Sequence, residues 1–251
     1  MRKILFLLFP LAVFSATFSE KFSVIKPEGE CDMADATEFE LSSDNEFFAV
    51  DETSNQKITG MKFEGKTKTY YIKTGINRSF PKLPDNSMIE NTPLLTINDQ
   101  QIAETAKNCL GSDDPVRAVK DSVFKIIVKK TSGFPILKAK DILKLKAGDC
   151  TEHAVLTGAV LRAMKIPAVG VAGVVYAKEF GKQKDVFVFH MWCEAYYGGK
   201  WIIVDSALPF NDSPNQYIAL SYHNLKKHMP PPIDFASRME KLKNFRIKAI
   251  R

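Results

Sequence analysis

Residues 154–164 restrict the fold more than any other stretch: nearly every position is apolar, only Arg162 interrupts, and Ile166-Pro167 ends the run. A helix that is apolar on every side cannot lie on a surface, so this segment predicts a helix enclosed by the rest of the chain. Gly148-Asp149-Cys150-Thr151-Glu152-His153 leads into it. Asp149 and Glu152 have the N-cap and third-position spacing of a capping box, which places Cys150 in the first helical turn. Upstream, one helix is expected to start near Asp99. A second is capped by Asp114 and opened by Pro115, with Val116, Val119, Val123, Ile126 and Ile127 on one face, and a short one covers residues 139–145. Downstream, strands are expected at residues 168–177, 187–197 and 200–205. Helices followed by an antiparallel sheet form the α+β pattern.

The N-terminal part is written in a different code. Lys57-Ile58-Thr59-Gly60-Met61-Lys62-Phe63 alternates, Glu64-Gly65 signals a turn, and residues 67–74 are rich in Thr and Tyr, so residues 20–95 are read as a small β-rich region. Pro81, Pro84 and Pro93 punctuate its end as a linker. Before it, Arg2 and Lys3 precede an apolar run at residues 4–14 and then small residues, the form of an export signal over residues 1–19. The run is too short to span a bilayer comfortably, so no stable membrane span is expected. Residues 226–251 gather basic side chains (Lys226, Lys227, Arg238, Lys241, Lys243, Arg246, Lys248, Arg251) and are expected to be a solvated tail rather than a nucleic-acid contact. The net charge of +6 in 251 residues is mild, and 45% hydrophobic residues suffice for one large or two small domains. Disorder and collagen-like repeats are excluded.

The chemistry concentrates in the core, taken as residues 96–225. A thiol in the first helical turn benefits from the helix dipole, and such a site with a nearby imidazolium can lower a cysteine pKa from about 8.5 to as little as about 4. Taken alone, a cysteine at a helix start also fits a buried structural role. Val188-Phe189-His190-Met191-Trp192-Cys193-Glu194-Ala195-Tyr196-Tyr197, Gly198-Gly199 and Lys200-Trp201-Ile202-Ile203-Val204-Asp205 read as a hairpin. With a two-residue loop, Asp205 lies opposite Trp192 and diagonal to His190 on the same face. Cysteine at a helix start, histidine on one strand and aspartate on the next then match a nucleophile, a base and the group that orients the base. His153 and Glu152 lack further metal ligands at useful spacing, so a capping glutamate and a first-turn histidine are expected, with no metal and no cofactor. Trp192, Trp201, Tyr196 and Tyr197 could line a cleft or belong to the core. Asn77-Arg78-Ser79 and Asn211-Asp212-Ser213 fit the glycosylation pattern.

Three blocks, GDCTEHA, LRAMKIPAVGVAGVVY and FHMWCEAYYGGKWIIVDSA, resemble the core of the transglutaminase-like superfamily over roughly residues 99–220. The resemblance implies a papain-like catalytic triad of Cys150, His190 and Asp205. It implies a cysteine acyltransferase, protease or amidase working on protein or peptide carboxamide or peptide bonds. Two departures concern the substrate: Ser206 where the family often has Pro, and Met191-Trp192 where it often has Ala-Trp. The alternative is a non-catalytic protein-binding module on the same scaffold. Together with the leader, this makes an exported protein, periplasmic or secreted. In an oxidising compartment Cys150 must stay a free thiol, Cys193 reads as a small buried side chain, and any disulfide falls to Cys31 and Cys109.

Overall fold

The computed structural model describes residues 24–29, 32–76, 83–131, 136–225 and 242–251. The expected leader, Cys31 and Asn77-Arg78-Ser79 lie outside the described residues. In chain order the elements are strands β1 (Val24–Ile25), β2 (Glu38–Ser43), β3 (Lys57–Glu64) and β4 (Thr67–Lys73), then helices α1 (Gln100–Leu110) and α2 (Pro115–Ile126). There follow β5 (Lys129–Lys130), α3 (Ala139–Leu145), β6 (Ala147–Gly148), α4 (Cys150–Ala163), β7 (Ala168–Phe180), β8 (Gln183–Tyr197), β9 (Lys200–Val204), β10 (Tyr217–His223) and β11 (Arg246–Ala249). The fold is α+β.

Helix α4 is the enclosed element that its composition requires: Val155, Leu156, Thr157, Ala159, Val160 and Leu161 have no exposed surface. Each large aliphatic side chain buried this way contributes about 1.5–3 kcal/mol. Helices α1, α2 and α3 cover it, and on its other side it meets Ala168, Met191, Cys193 and Ala195 of the sheet. The interrupting Arg162 is also fully buried, and its guanidinium donates to the carbonyls of Ala168, Ser87, Glu90 and Asn224 at 2.7–3.3 Å. Those bonds replace the water that a buried charge loses, and they lock the C-terminal end of α4 to three neighbouring segments.

The central sheet runs β1-β8-β7-β10, with β9 also paired to β8. All of its pairings are antiparallel. On the side away from β7, strand β8 pairs with β1 at Phe187 and Val188 and with β9 from Cys193 to Tyr197. Among the described residues no strand pairs with positions 189–192 on that side, and His190 lies in this notch. The turn from β8 to β9 is Gly198-Gly199, with φ of 60° and 81°, a conformation that a two-residue hairpin requires and glycine adopts freely.

The second sheet, β11-β2-β4-β3, is antiparallel. Its Phe39, Leu41, Tyr70, Ile72 and Ile247 pack on Val174, Tyr176, Phe187, Ile218 and Leu220 of the central sheet. The N-terminal β-rich region is therefore present, but it is completed from the far end of the chain. This corrects the expectation of a solvated basic tail: Ile247 and Ala249 are buried, at 0% and 4% exposure, while Arg246 and Lys248 alternate with them. Period-two alternation next to an unpaired strand outweighs charge. No helix among the described residues is long and apolar enough to cross a membrane.

Candidate active site

Cys150 is the first residue of α4. Asp149 accepts the Thr151 N–H at 2.9 Å, and Glu152 reaches back to accept the Asp149 N–H at 3.0 Å, so the expected capping box is formed. The chain enters under tight constraint, because a Cβ on Gly148 would lie 2.2 Å from that of Glu152. Glu152 also accepts the Leu137 N–H at 3.5 Å. Burial, with the Asp149 carboxylate beside it, pushes the Glu152 acid up to about 7. The Cys150 thiol is partly exposed, whereas those of Cys109 and Cys193 are buried.

His190 and Asp205 are buried, with 7% and 2% exposure. The β8–β9 register pairs Cys193 with Val204, which carries Asp205 opposite Trp192 and diagonal to His190. His190 Nε2 lies 2.7 Å from Asp205 Oδ2, and the ring also interacts with the Cys150 side chain. The structure thus brings the three sequence-expected residues together. Burial alone would disfavour a charged His190, yet the adjoining Asp205, helped by Cys150, holds it at about 10. A pair this close gains on the order of 5 kcal/mol at an effective dielectric constant of about 20, enough to outweigh desolvation of the ring. For Asp205, likewise, burial is overcome by His190, and its acid is held below the usual range.

Further residues complete the surroundings, and the sequence reading gave none of them this place. Tyr217 on β10 donates its hydroxyl to Asp205 Oδ2 at 2.9 Å, and the N–H groups of Ala207 and Leu208 donate to Oδ1 at 3.0 and 3.2 Å. Ser206 Oγ lies 3.0 Å from His153 Nδ1 and 2.8 Å from Thr157 Oγ1. Lys130 Nζ lies 3.2 Å from His153 Nε2. Burial and then the Lys130 charge push His153 down to about 3, so its imidazole is neutral. No residue near in sequence announces Tyr217, which β10 brings in from across the sheet. Trp192 stacks against His190 with ring centroids 6.2 Å apart, and both Trp192 and Trp201 are buried. Tyr196 packs on Trp201, and Tyr197 is 41% exposed, so these aromatics belong mainly to the core.

Cys193 donates to the Ala154 carbonyl at 3.0 Å, and burial pushes its thiol up to about 12, as a small structural side chain requires. Cys109 is a free buried thiol. Asn211 closes a local turn by accepting the Ser213 N–H at 3.1 Å. Among the described residues no group of three or more His, Cys, Asp or Glu side chains is placed to hold a metal ion.

Residues 99–206 match the family model of the transglutaminase-like superfamily. The solved structure described as "a Putative Cysteine Protease from Cytophaga hutchinsonii" shares 18% identity over 76% of this chain and 82% of its own, with a TM-score of 0.50. The periplasmic domain of TgpA from Pseudomonas aeruginosa, bound to ethylmercury, shares 14% identity over 78% of this chain and 86% of its own, with a TM-score of 0.43. At 18% identity the first likeness is one of fold. No curated protein matches the chain. The segment that the transglutaminase-like superfamily model matches, residues 99–206, is the one that holds Cys150, His190 and Asp205 in this geometry.

Proposed function

We propose that this protein is an exported cysteine-dependent acyl transferase or amide hydrolase, with Cys150 as nucleophile, His190 as proton carrier and Asp205 as the group that orients the imidazole. The observation that carries the reading is the 2.7 Å contact between His190 Nε2 and Asp205 Oδ2, in a ring that also interacts with a partly exposed thiol at a helix start. That contact occupies Nε2 and leaves Nδ1 to face the sulfur. The ring's preference for the charged form gives it a proton to deliver to a departing amine.

The thiolate attacks the carbonyl carbon of a carboxamide or peptide bond, and the C=O electron pair moves to oxygen. As the tetrahedral intermediate collapses, the C–N bond breaks, and the Nδ1 proton of His190 goes to the departing amine. A thioester remains on Cys150. Neutral His190 then takes a proton from the second substrate as that group attacks, releasing product and restoring the thiolate. An amine gives a transferred acyl group, and water gives an acid. The Cys150 N–H, at the first helical position, has no intrahelical acceptor and is available to the oxyanion. Export is supported by the leader pattern of residues 1–19.

Replacing Cys150 by Ala tests the assignment, because the first helical turn tolerates Ala and loses only the sulfur. Acylation by a chromogenic ester or a glutamine-containing peptide is expected to vanish while thermal unfolding is unchanged. Retention of more than a trace of acylation would overturn it.

A further inference from the structure

Lys130 reaches the site from a segment that the triad does not use. Strand β5 runs parallel to β6 with Lys130 opposite Gly148, two residues before Cys150. Its ammonium meets Nε2 of His153, which lies one helical turn beyond Cys150 on α4. The direction of this contact follows from its neighbours. An ammonium can only donate, so Nε2 of the neutral ring accepts, and Nδ1 carries the hydrogen, which it donates to Ser206 Oγ. The Ser206 hydroxyl also contacts Thr157 Oγ1 at 2.8 Å, where either hydroxyl can be the donor, and the His153 carbonyl at 3.5 Å. The result is a connected network, Lys130 to His153 to Ser206 and Thr157, anchored in the core at its far end, where Thr157 and Ser206 are 0% and 1% exposed. The anchoring uses one of three ammonium hydrogens. Burial lowers the proton affinity of this ammonium, and the charges of Cys150, Asp149 and Asp205 act against that lowering.

We propose that Lys130 is the second oxyanion donor of the acyl-transfer site, with its ammonium aimed by His153, so that it and the Cys150 N–H hold the carbonyl oxygen of an amide or ester substrate from two sides. This inference rests on the acyl-transfer reading above. As sulfur attacks the carbonyl carbon, the C=O pair moves to oxygen, and Lys130 donates a hydrogen bond to that oxygen without giving up its proton. When the intermediate collapses, C=O re-forms and the leaving group departs with its electron pair. A charged donor in a partly enclosed site is worth more to a developing anion than to a neutral carbonyl, and that difference lowers the barrier. His153 is a positioning residue here. Its low proton affinity keeps Nε2 an acceptor at any ordinary pH.

Two reactions of the same sulfur separate this role from others. Acylation by p-nitrophenyl acetate passes through an oxyanion, and its p-nitrophenolate burst reports the rate. Alkylation by iodoacetamide displaces iodide and forms no oxyanion. In the full-length protein Lys130→Met is expected to slow the burst about 100-fold, as loss of an oxyanion donor does, with alkylation of Cys150 unchanged. His153→Phe is expected to slow the burst by less, again with alkylation unchanged. A wild-type burst rate in Lys130→Met would overturn the inference, and so would an equal loss of alkylation, which would assign Lys130 to the thiol or to folding. The underlying reading fails separately: if His190→Ala leaves alkylation of Cys150 untouched, the triad is wrong whatever Lys130 does. Absence of any burst in the unmodified protein would overturn both.

Discussion

Two histidines neighbour Cys150, His153 three residues on in α4 and His190 through contact with its side chain, both almost fully buried, and the molecule gives them opposite charge states. His190 is served by Asp205 and His153 by Ser206, consecutive residues immediately after β9. His190 has a carboxylate at 2.7 Å and prefers to be charged, up to a pH of about 10. His153 has a hydroxyl on one nitrogen and an ammonium on the other, and it stays neutral down to a pH of about 3. Burial disfavours charge in both rings, so the partner's charge decides. One register step on a hairpin thus separates a ring that stores a proton from a ring that can only accept a hydrogen bond.

The comparison breaks most visibly at Asp205. Asp205→Asn preserves shape but removes the negative charge and favours the wrong tautomer of His190, and turnover is expected to fall on the order of 10⁴-fold, by analogy with the serine triad. Near-native turnover in a steady-state assay would mean that another group orients His190.

The difference in proton affinity also predicts how stability depends on pH. His190, raised from 6.5 to about 10, contributes stability that is present below pH 6.5 and is lost as pH rises through 10. His153, lowered from 6.5 to about 3, binds fewer protons folded than unfolded between those values. Stability therefore falls as pH drops from 6.5 toward 3, by roughly 3–5 kcal/mol from this one group. In His153→Gln that portion of the acid slope should disappear, as seen in urea unfolding midpoints at pH 7 and pH 4.5. A variant with the same slope as the unmodified protein would show that His153 is not held neutral.

A smaller effect is expected at Tyr217, whose hydroxyl steadies the carboxylate. Tyr217→Phe removes a buried bond to a charged group and should lower stability by about 1.5–3 kcal/mol while reducing turnover far less than Asp205→Asn does. Equal losses of turnover in the two variants would make Tyr217 part of the reacting set.

What could be read in the sequence was local or nearly so. The capping box, the enclosed helix, the two-glycine hairpin and the diagonal from His190 to Asp205 all follow from spacings under about twenty residues, where periodicity and turn chemistry decide. The partners supplied by the tertiary fold were not legible. Lys130 reaches His153 through a two-residue parallel pairing, Tyr217 comes from β10 across the sheet, and β11 closes the N-terminal sheet with Ile247 opposite Leu41. No spacing rule connects residues that far apart. At β11 charge is a poor guide, because buried Ile247 and Ala249 alternate with basic Arg246 and Lys248.

The central claim is that Cys150 is a nucleophile prepared by His190, and timed labelling with iodoacetamide, located by mass spectrometry, tests it most directly. In the folded protein Cys150 is expected to react quickly at neutral pH, with the buried Cys109 and Cys193 far slower, and His190→Ala should slow labelling of Cys150 by a large factor. Labelling of Cys150 at the rate of an ordinary exposed thiol, unchanged by His190→Ala, would contradict the account.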